Sequence, residues 1–408
     1  MKHFAIIGAG IIGTTTAWVL RKKGYEVTVF DRNRYPAMET SFANGGQLSA
    51  SNAEVWTNIS TMLKGVKWMF KSDAPLLFNP KPSWHKYSWM SEFASNFRNY
   101  EKNTVKTTKL AIESRQHMTA FAEEAGIEFN RENRGILHFY KKEADFNHAH
   151  RVNKMLAEGG LDRRRLTPDE VYAIEPAIKS EVIGGYYTES DFTGDIHKFT
   201  MGLAEAAAEA GVNFIMNATV TDVDHDGAKP IVTWHDLDDA AFKDSFDGIV
   251  VTAGVGSRDI AAGLGDRVNV YPVKGYSITV NMDDAASQDA APWASLLDDA
   301  AKIVTARLGQ DRFRVAGTAE INGYNYDIRA DRIAPLTRWV QDNFPVISTE
   351  KVVPWAGLRP MMPNMMPRIG KGNKPGVFYN TGHGHLGWTL SCYSAEAIGD
   401  IIHTSHNQ

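Results

Sequence analysis

MKHFAIIGAGIIGTTTAWVLRKKGYEVTVFD, residues 1–31, is the stretch that decides the fold. HFAIIG (3–8) is a short apolar run suited to a buried parallel strand, residues 11–23 repeat apolar side chains at helical spacing up to Gly24, and EVTVFD (26–31) is a second buried strand. Gly8, Gly10 and Gly13 fall between the first strand and the helix, with Ile11 and Ile12 opening it. In that context Gly8 permits a tight turn, Gly10 lets the backbone approach a pyrophosphate, and Gly13 lets helix and strand pack closely. The helix start offers free N–H groups and a positive dipole end to an anion. Asp31 follows about twenty residues on, where a carboxylate accepts hydrogen bonds from an adenosine ribose. The competing account is a glycine-rich turn in an unrelated α/β protein, and the order strand, helix, strand, acid weighs against it. Alone, this cradle leaves FAD and NAD undivided.

Outward from the cradle, the 408-residue chain is long enough for two domains. Hydrophobic content of 43%, charged content of 23% and a net charge of -4 are those of a globular protein with no field suited to nucleic acid. The single cysteine, Cys392, can form neither an internal disulfide nor a thiolate zinc site, which fits a reducing compartment, and no metal site is expected. The apolar run from Phe4 to Leu20 superficially resembles a signal peptide or anchor. Its glycines and threonines, its length and the charges of Arg21, Lys22 and Lys23 argue against both. The protein is expected to be soluble and cytoplasmic, or held peripherally on the inner face of the cytoplasmic membrane.

Further along, helices are expected over 104–125, 143–158, 198–210 and from about Thr389 to Ile402, with another starting at Thr167 and Pro168. GILHFY (135–140), residues 184–187, VNFIMN (212–217) and GIVVTAG (248–254) read as strands, with a turn at Asp226 and Gly227. Residues 268–351 change character to the extended runs VYPVKGYSITV, AKIVTARL and RFRVAG, which predict a largely antiparallel sheet. The expected fold is thus α/β, α+β overall: a Rossmann-like dinucleotide domain (1–84, 145–265, 352–408) interleaved with a substrate domain (85–144, 266–351). Trp56 to Phe93 reads as loop and short helix. Its Trp56, Trp68, Phe70, Trp84, Tyr87 and Trp89, interleaved with Lys64, Lys67, Lys71, Lys81 and Lys86, suit either an aromatic cover on the substrate pocket or a membrane interface.

Glycines at the ends of several apolar strands, in ETSFANGG (39–46), GIVVTAG and NTGHGHLGWT (380–389), favour a flavin, which stays bound through turnover and needs many backbone approaches. These motifs, with KWMFKSDAPL, YPVKGYSITV and GLRPMMP, resemble the bacterial D-amino acid dehydrogenase small subunits, within the D-amino acid oxidase, glycine oxidase and sarcosine oxidase group of FAD enzymes. Matching segments run from residue 1 to about 402. The resemblance implies oxidative deamination of D-amino acids to 2-oxo acids and ammonia, by hydride transfer to flavin N5, with electrons passed to a quinone-like acceptor. Oxidation of a secondary amine such as D-hydroxyproline or sarcosine would share every motif. A flavin-binding regulatory or assembly subunit with little turnover is the reading from another class.

Carried over, the resemblance implies that Gly8, Gly10 and Gly13 hold the pyrophosphate and Asp31 the ribose, with Arg32 near the adenine. Thr40, Ser41, Asn44 and Gly45 would lie near the pyrophosphate and flavin ring. Val220 would meet the adenine through its backbone, with Ala253 and Gly254 as a second strand-end contact. Gly382, His383, Gly384, His385, Leu386, Gly387, Trp388 and Thr389 would present backbone donors to the flavin. Relatives with covalent flavin use a cysteine near Gly357, so the FAD here is expected to be noncovalent. Met361, Met362, Pro363, Asn364, Met365 and Met366 depart from the usual T-P-D-G-like continuation of GLRPM, placing side-chain preference in question.

Arg359 matches the arginine that holds the substrate carboxylate, a task suited to a planar guanidinium; the competing role is a structural cap on a strand end. Lys274 and Tyr276 are expected over the flavin face, with burial of Tyr276 for packing as the alternative. His383 and His385 would polarise the substrate or the flavin C2 carbonyl, or else merely fill space.

Overall fold

The protein, seen in a computed structural model that describes residues 1–58, 76–225 and 227–406, is organised by two sheets. The first has six strands in the order Arg368–Lys371, Val377–Thr381, Gly248–Val251, His3–Ile7, Glu26–Asp31, Asn213–Met216. All pairings are parallel except that of the Arg368–Lys371 edge strand. These strands are apolar on both faces because both are covered, as buried parallel sheets require. Phe4, Ile6, Val29, Val250 and Phe378 face a helix layer of Ile11–Lys22, Ile196–Glu209 and Gly387–His406. Ala5, Ile7, Phe30, Ile249, Val251 and Tyr379 face a three-stranded antiparallel meander over residues 219–245.

The second sheet has nine strands and is largely antiparallel, as expected. Its centre is the ladder of Tyr271–Asn281 between Arg312–Ile321 and Val352–Met361. One face packs on the Ala330–Asn343 helix, with Leu336, Trp339 and Val340 against Ile278, Val280, Phe313 and Val315. The other faces the first sheet across a cleft.

Strand pairing departs from the expected boundaries. Arg164–Leu166, Gly184–Thr188 and Val352–Met361 were assigned to the dinucleotide part but hydrogen-bond into the large sheet, as does Leu76–Phe78. A strand belongs to the sheet that satisfies its backbone, and those partners lie far away in sequence. The Trp56–Phe93 stretch, read as loop and short helix, contributes the Leu76–Phe78 strand and the Trp84–Ser95 helix. Trp89 is buried and donates to the Met361 carbonyl at 2.8 Å, Lys86 is buried beside Phe78, and Trp84 is 85% exposed. Trp68, Phe70, Lys64, Lys67, Lys71 and Asp226 lie outside the described residues. No helix among the described residues is long and apolar enough to cross a membrane.

One buried pair ties the cleft wall to the helix layer. Arg115, on the Tyr100–Glu124 helix, is ion-paired with fully buried Asp191, whose oxygens also accept from the backbone N–H of Ala50 (3.0 Å) and Ser51 (2.9 Å). Ser51 Oγ lies 3.0 Å from His138 Nε2 on the large sheet. Burial pushes the Asp191 carboxyl up despite these partners. Asp191→Ala would leave Arg115 buried without its partner, a change expected to cost about 3–5 kcal/mol. Chemical denaturation checks this, and a loss within about 0.5 kcal/mol, the range of an ordinary surface substitution, would contradict it.

Candidate active site

The first strand must stop, turn and start a helix within a few residues, and the glycines make that possible. Gly8 has φ +111°, and a Cβ there would meet the Thr252 carbonyl oxygen at 2.9 Å. A Cβ on Gly13 would lie 1.8 Å from the Gly8 carbonyl oxygen, so only glycine lets the helix seat this close. Gly10 is the N-cap; it supplies no side-chain cap, and the first turn holds no acidic residue. Ile11 N–H is taken by Ser41 Oγ at 3.0 Å. Asp31 accepts from Ala9 N–H at 2.7 Å and from Asn33 N–H at 2.8 Å, which fixes its carboxylate at the strand end facing the cleft. Arg32 is half-exposed there and ion-paired with Glu39, which holds its guanidinium above the usual range.

From this cradle a continuous cavity of about 840 Å³ runs between the two sheets. Thr40, Ser41, Asn44 and Gly45 form its near wall, and the glycines that follow Asn44 let the segment lie flat on the large sheet. A Cβ on Gly45 would meet Val304 at 2.7 Å, and one on Gly46 would meet Ala306 at 2.6 Å. Thr40 donates to the Leu358 carbonyl, Ser277 donates to the Ala43 carbonyl, and Arg314 donates to the Asn44 carbonyl. Val220, Ala253 and Gly254 line the cradle end. Gly382 to Thr389 line the far wall, where the Gly387–His406 helix begins. Leu386 and Trp388 send their side chains into the core, so the cavity receives chiefly their backbone. Gly13 and Lys274 do not line the cavity.

Arg359 projects from the Val352–Met361 strand onto the cavity face of the large sheet. Its guanidinium lies across Gly275, where a Cβ would sit 2.3 Å from Arg359 Cζ. Its hydrogen-bond partner is the Thr318 carbonyl at 3.5 Å, and no carboxylate among the described residues pairs with it. Burial alone pulls the guanidinium down to about 10. Gly357 lies on the same face under the Trp355 ring, to which a Cβ would come within 2.1 Å.

Two expected residues face the other way. Gly275, Ser277, Gly357 and Arg359 share the cavity face, so pleating turns Lys274 and Tyr276 to the opposite one. Lys274 is fully buried there, 3.0 Å from Glu320 and 2.9 Å from the Asp327 carbonyl. Tyr276 borders the cavity, but its side chain packs with Ile278 and Leu336 in the core, and burial and Glu320 push its hydroxyl up. Neither side chain stands over a ligand in the cavity. The methionine-rich segment also lies behind the wall: Met362 abuts Gly382, Met361 abuts Gly384, and Met361–Met366 do not line the cavity.

His383 is 3% exposed, and both ring nitrogens lack a protein partner, which burial answers by holding it down to about 3. His385 stacks on Trp56 at 4.7 Å, and its Nε2 lies 3.3 Å from the Asn52 carbonyl. That carbonyl accepts only from a protonated Nε2, which leaves Nδ1, unpartnered in the protein, as an acceptor. Burial first, and the Arg359 charge second, hold His385 at about 4. Sequence reading missed Asn52, Glu54 and His148 in the cavity wall. His148 sits on a helix whose charge pattern reads as solvent face, and Glu54 carries no local signal.

The residues fit FAD on structural grounds: a cradle that a Cβ at Gly8 or Gly13 would block, an acceptor carboxylate at its edge, a long cavity, and a buried imidazole left without a protein partner. The chain matches the family model described as "DAO: FAD dependent oxidoreductase" over residues 3–401. It is 59% identical over 404 residues to "D-amino acid dehydrogenase 3" of Mesorhizobium japonicum, covering 99% of this chain and 98% of that one. The D-amino acid dehydrogenase of Paramagnetospirillum magneticum is 40% identical, with 97% and 94% covered. The glycine oxidase of Geobacillus kaustophilus shares the fold with a TM-score of 0.78 at 20% identity, covering 99% of this chain and 95% of that one.

Gly13→Ala is expected to weaken FAD retention by about tenfold or more, because overpacking here costs about 1–3 kcal/mol and falls on the cradle. Flavin absorbance after gel filtration reads it, and full retention would contradict the cradle assignment. His383 gives a pH prediction. Its folded value is lowered while an unfolded histidine titrates near 6.5, so the unfolded chain binds a proton that the folded chain refuses. Stability therefore falls as pH drops below about 6.5, by about 2 kcal/mol at pH 5 from this group. Thermal unfolding of His383→Asn should lose part of that acid slope; an identical slope would contradict the assignment.

Proposed function

The chain belongs to the DAO family of FAD dependent oxidoreductases, and from that premise we propose that it is a D-amino acid dehydrogenase. The amine N–H and Cα–H of the substrate give way to a C=N bond, and water then releases ammonia and the 2-oxo acid. FAD, when bound, supplies the two-electron acceptor for the Cα–H bond. The two electrons leave to an external oxidant of the quinone class, a reading supported by relatives named dehydrogenases.

One observation carries the substrate reading: Arg359 is a half-buried cation without a carboxylate partner among the described residues, in the cavity that begins at the dinucleotide cradle. A substrate carboxylate is the group that completes it, through two parallel hydrogen bonds from the guanidinium. With the carboxylate fixed, the neighbouring amine comes within reach of neutral His385, whose Nδ1 accepts from N–H. An imidazole held near 4 leaves a neutral amine unprotonated and adds no positive charge beside it. His383, equally neutral, lines the same cavity with both ring nitrogens unpartnered in the protein, which supports a contact with the cofactor or the substrate.

Cys392 is buried in the helix layer, away from the cavity, so it offers no thiol tether there, which supports noncovalent FAD. For location we propose a cytoplasmic protein with access to the inner face of the membrane, supported by exposed Trp84 and Tyr87 beside Lys81.

Anaerobic mixing of the FAD-loaded protein with D-amino acids, L-amino acids and N-methyl or cyclic amines is expected to bleach the flavin with primary D-amino acids. Bleaching by N-alkylated or cyclic amines alone would replace this reading with a secondary-amine one. Arg359→Ala should raise the apparent KM for D-amino acids about a hundredfold, since a buried charged partner is worth about 2–5 kcal/mol, while flavin stays bound. An unchanged KM would contradict the carboxylate role.

A further inference from the structure

The cavity holds a second charged group that carboxylate binding does not use. Glu54 lines it, is half-buried, and receives a hydrogen bond from Tyr100 Oη at 2.5 Å, with His148 Nε2 3.6 Å away. No lysine or arginine among the described residues pairs with it; the other acid of this wall, Asp299, is already paired with Lys302 at 2.6 Å. Its position is built rather than incidental. Asp191 clamps Ala50 and Ser51, Asn52 holds His385, Val55 N–H donates to Thr104 Oγ1, and Trp56 stacks on His385.

Arg359, His385 and Glu54 all line the same cavity, and Glu54 lies in the segment whose Asn52 and Trp56 contact the His385 ring. No ion pair joins Glu54 to Arg359, whose hydrogen-bond partner is the Thr318 carbonyl. A substrate whose carboxylate sits on Arg359 keeps its α-amine one bond away from that carboxylate's carbon, beside His385 Nδ1. With the carboxylate on Arg359 and the α-amine on His385, Glu54 is a lining charge left for the side chain.

On the D-amino acid reading above, we propose that Glu54, oriented by Tyr100 and flanked by His148, selects D-amino acids whose side chain ends in a hydrogen-bond donor, an ammonium or a hydroxyl. A carboxylate that loses water to an apolar side chain has nothing in return, and this penalty against the isostere makes such a site selective.

The test compares kcat/KM of the FAD-loaded protein within two matched pairs: D-ornithine against D-norleucine, and D-homoserine against D-norvaline. The donor-bearing member is expected to win by about tenfold or more, mainly through KM, as a site built to hydrogen-bond its substrate rejects the analogue lacking the donor. Glu54→Gln and Glu54→Ala should each shrink the D-ornithine preference by about tenfold. No preference within either pair in the unaltered protein, or a preference that survives both substitutions, overturns the proposal. That first arm decides even where a variant fails to fold, and flavin absorbance reports whether it has. Flavin bleaching by N-methyl or cyclic amines, with none by any primary D-amino acid, overturns instead the reading on which the proposal rests.

Discussion

The substrate end of this protein depends on one placement: the half-buried guanidinium of Arg359 laid across Gly275. Glycine at 275 is what admits it, since a Cβ would stand 2.3 Å from Cζ. A half-buried cation without a carboxylate partner loses hydration, and the fall of the guanidinium to about 10 has that desolvation as its cause. The far face of the same sheet shows how the chain treats cations it does not reserve for a ligand. There Lys274 and Arg332, both fully buried, share Glu320 at 3.0 and 3.6 Å. One face pairs its cations internally and the other leaves Arg359 open to the cavity, which supports the carboxylate role proposed for it.

The two ends of the cavity are held in one frame by the segment after the cradle. Ser41 takes the Ile11 N–H, Thr40 reaches the strand carrying Arg359, and Gly45 and Gly46 lie flat on the large sheet. The dinucleotide cradle and the substrate cation are therefore set at a fixed span, as a reaction between a held cofactor and a held substrate requires. Neutral His383 and His385 complete the wall without adding charge near the amine.

Much of this was legible in the sequence, and the gaps have physical causes. The cradle is read from local order because its glycines and Asp31 follow one another through a strand, a turn, a helix and a second strand. Arg359 was reached through the resemblance, and its open charge only through the fold. Lys274 and Tyr276 were set on the wrong face because YPVKGYSITV is buried on both sides, so alternation alone does not say which side faces the cavity, and Glu320 lies on another strand. Glu54 and His148 were missed because they come from separate segments that meet only through the Arg115–Asp191 clamp and the helix layer. The crossing of Val352–Met361 into the large sheet was hidden for the same reason, as strand partners are set by tertiary pairing.

The most direct measurement is the crystal structure of the FAD-loaded protein with an unreactive D-2-hydroxy acid, which keeps the carboxylate and replaces the amine. The account predicts both carboxylate oxygens within hydrogen-bond distance of the Arg359 guanidinium, with the hydroxyl toward His385. A carboxylate bound elsewhere in the cavity, with Arg359 paired to a protein acid, would contradict it.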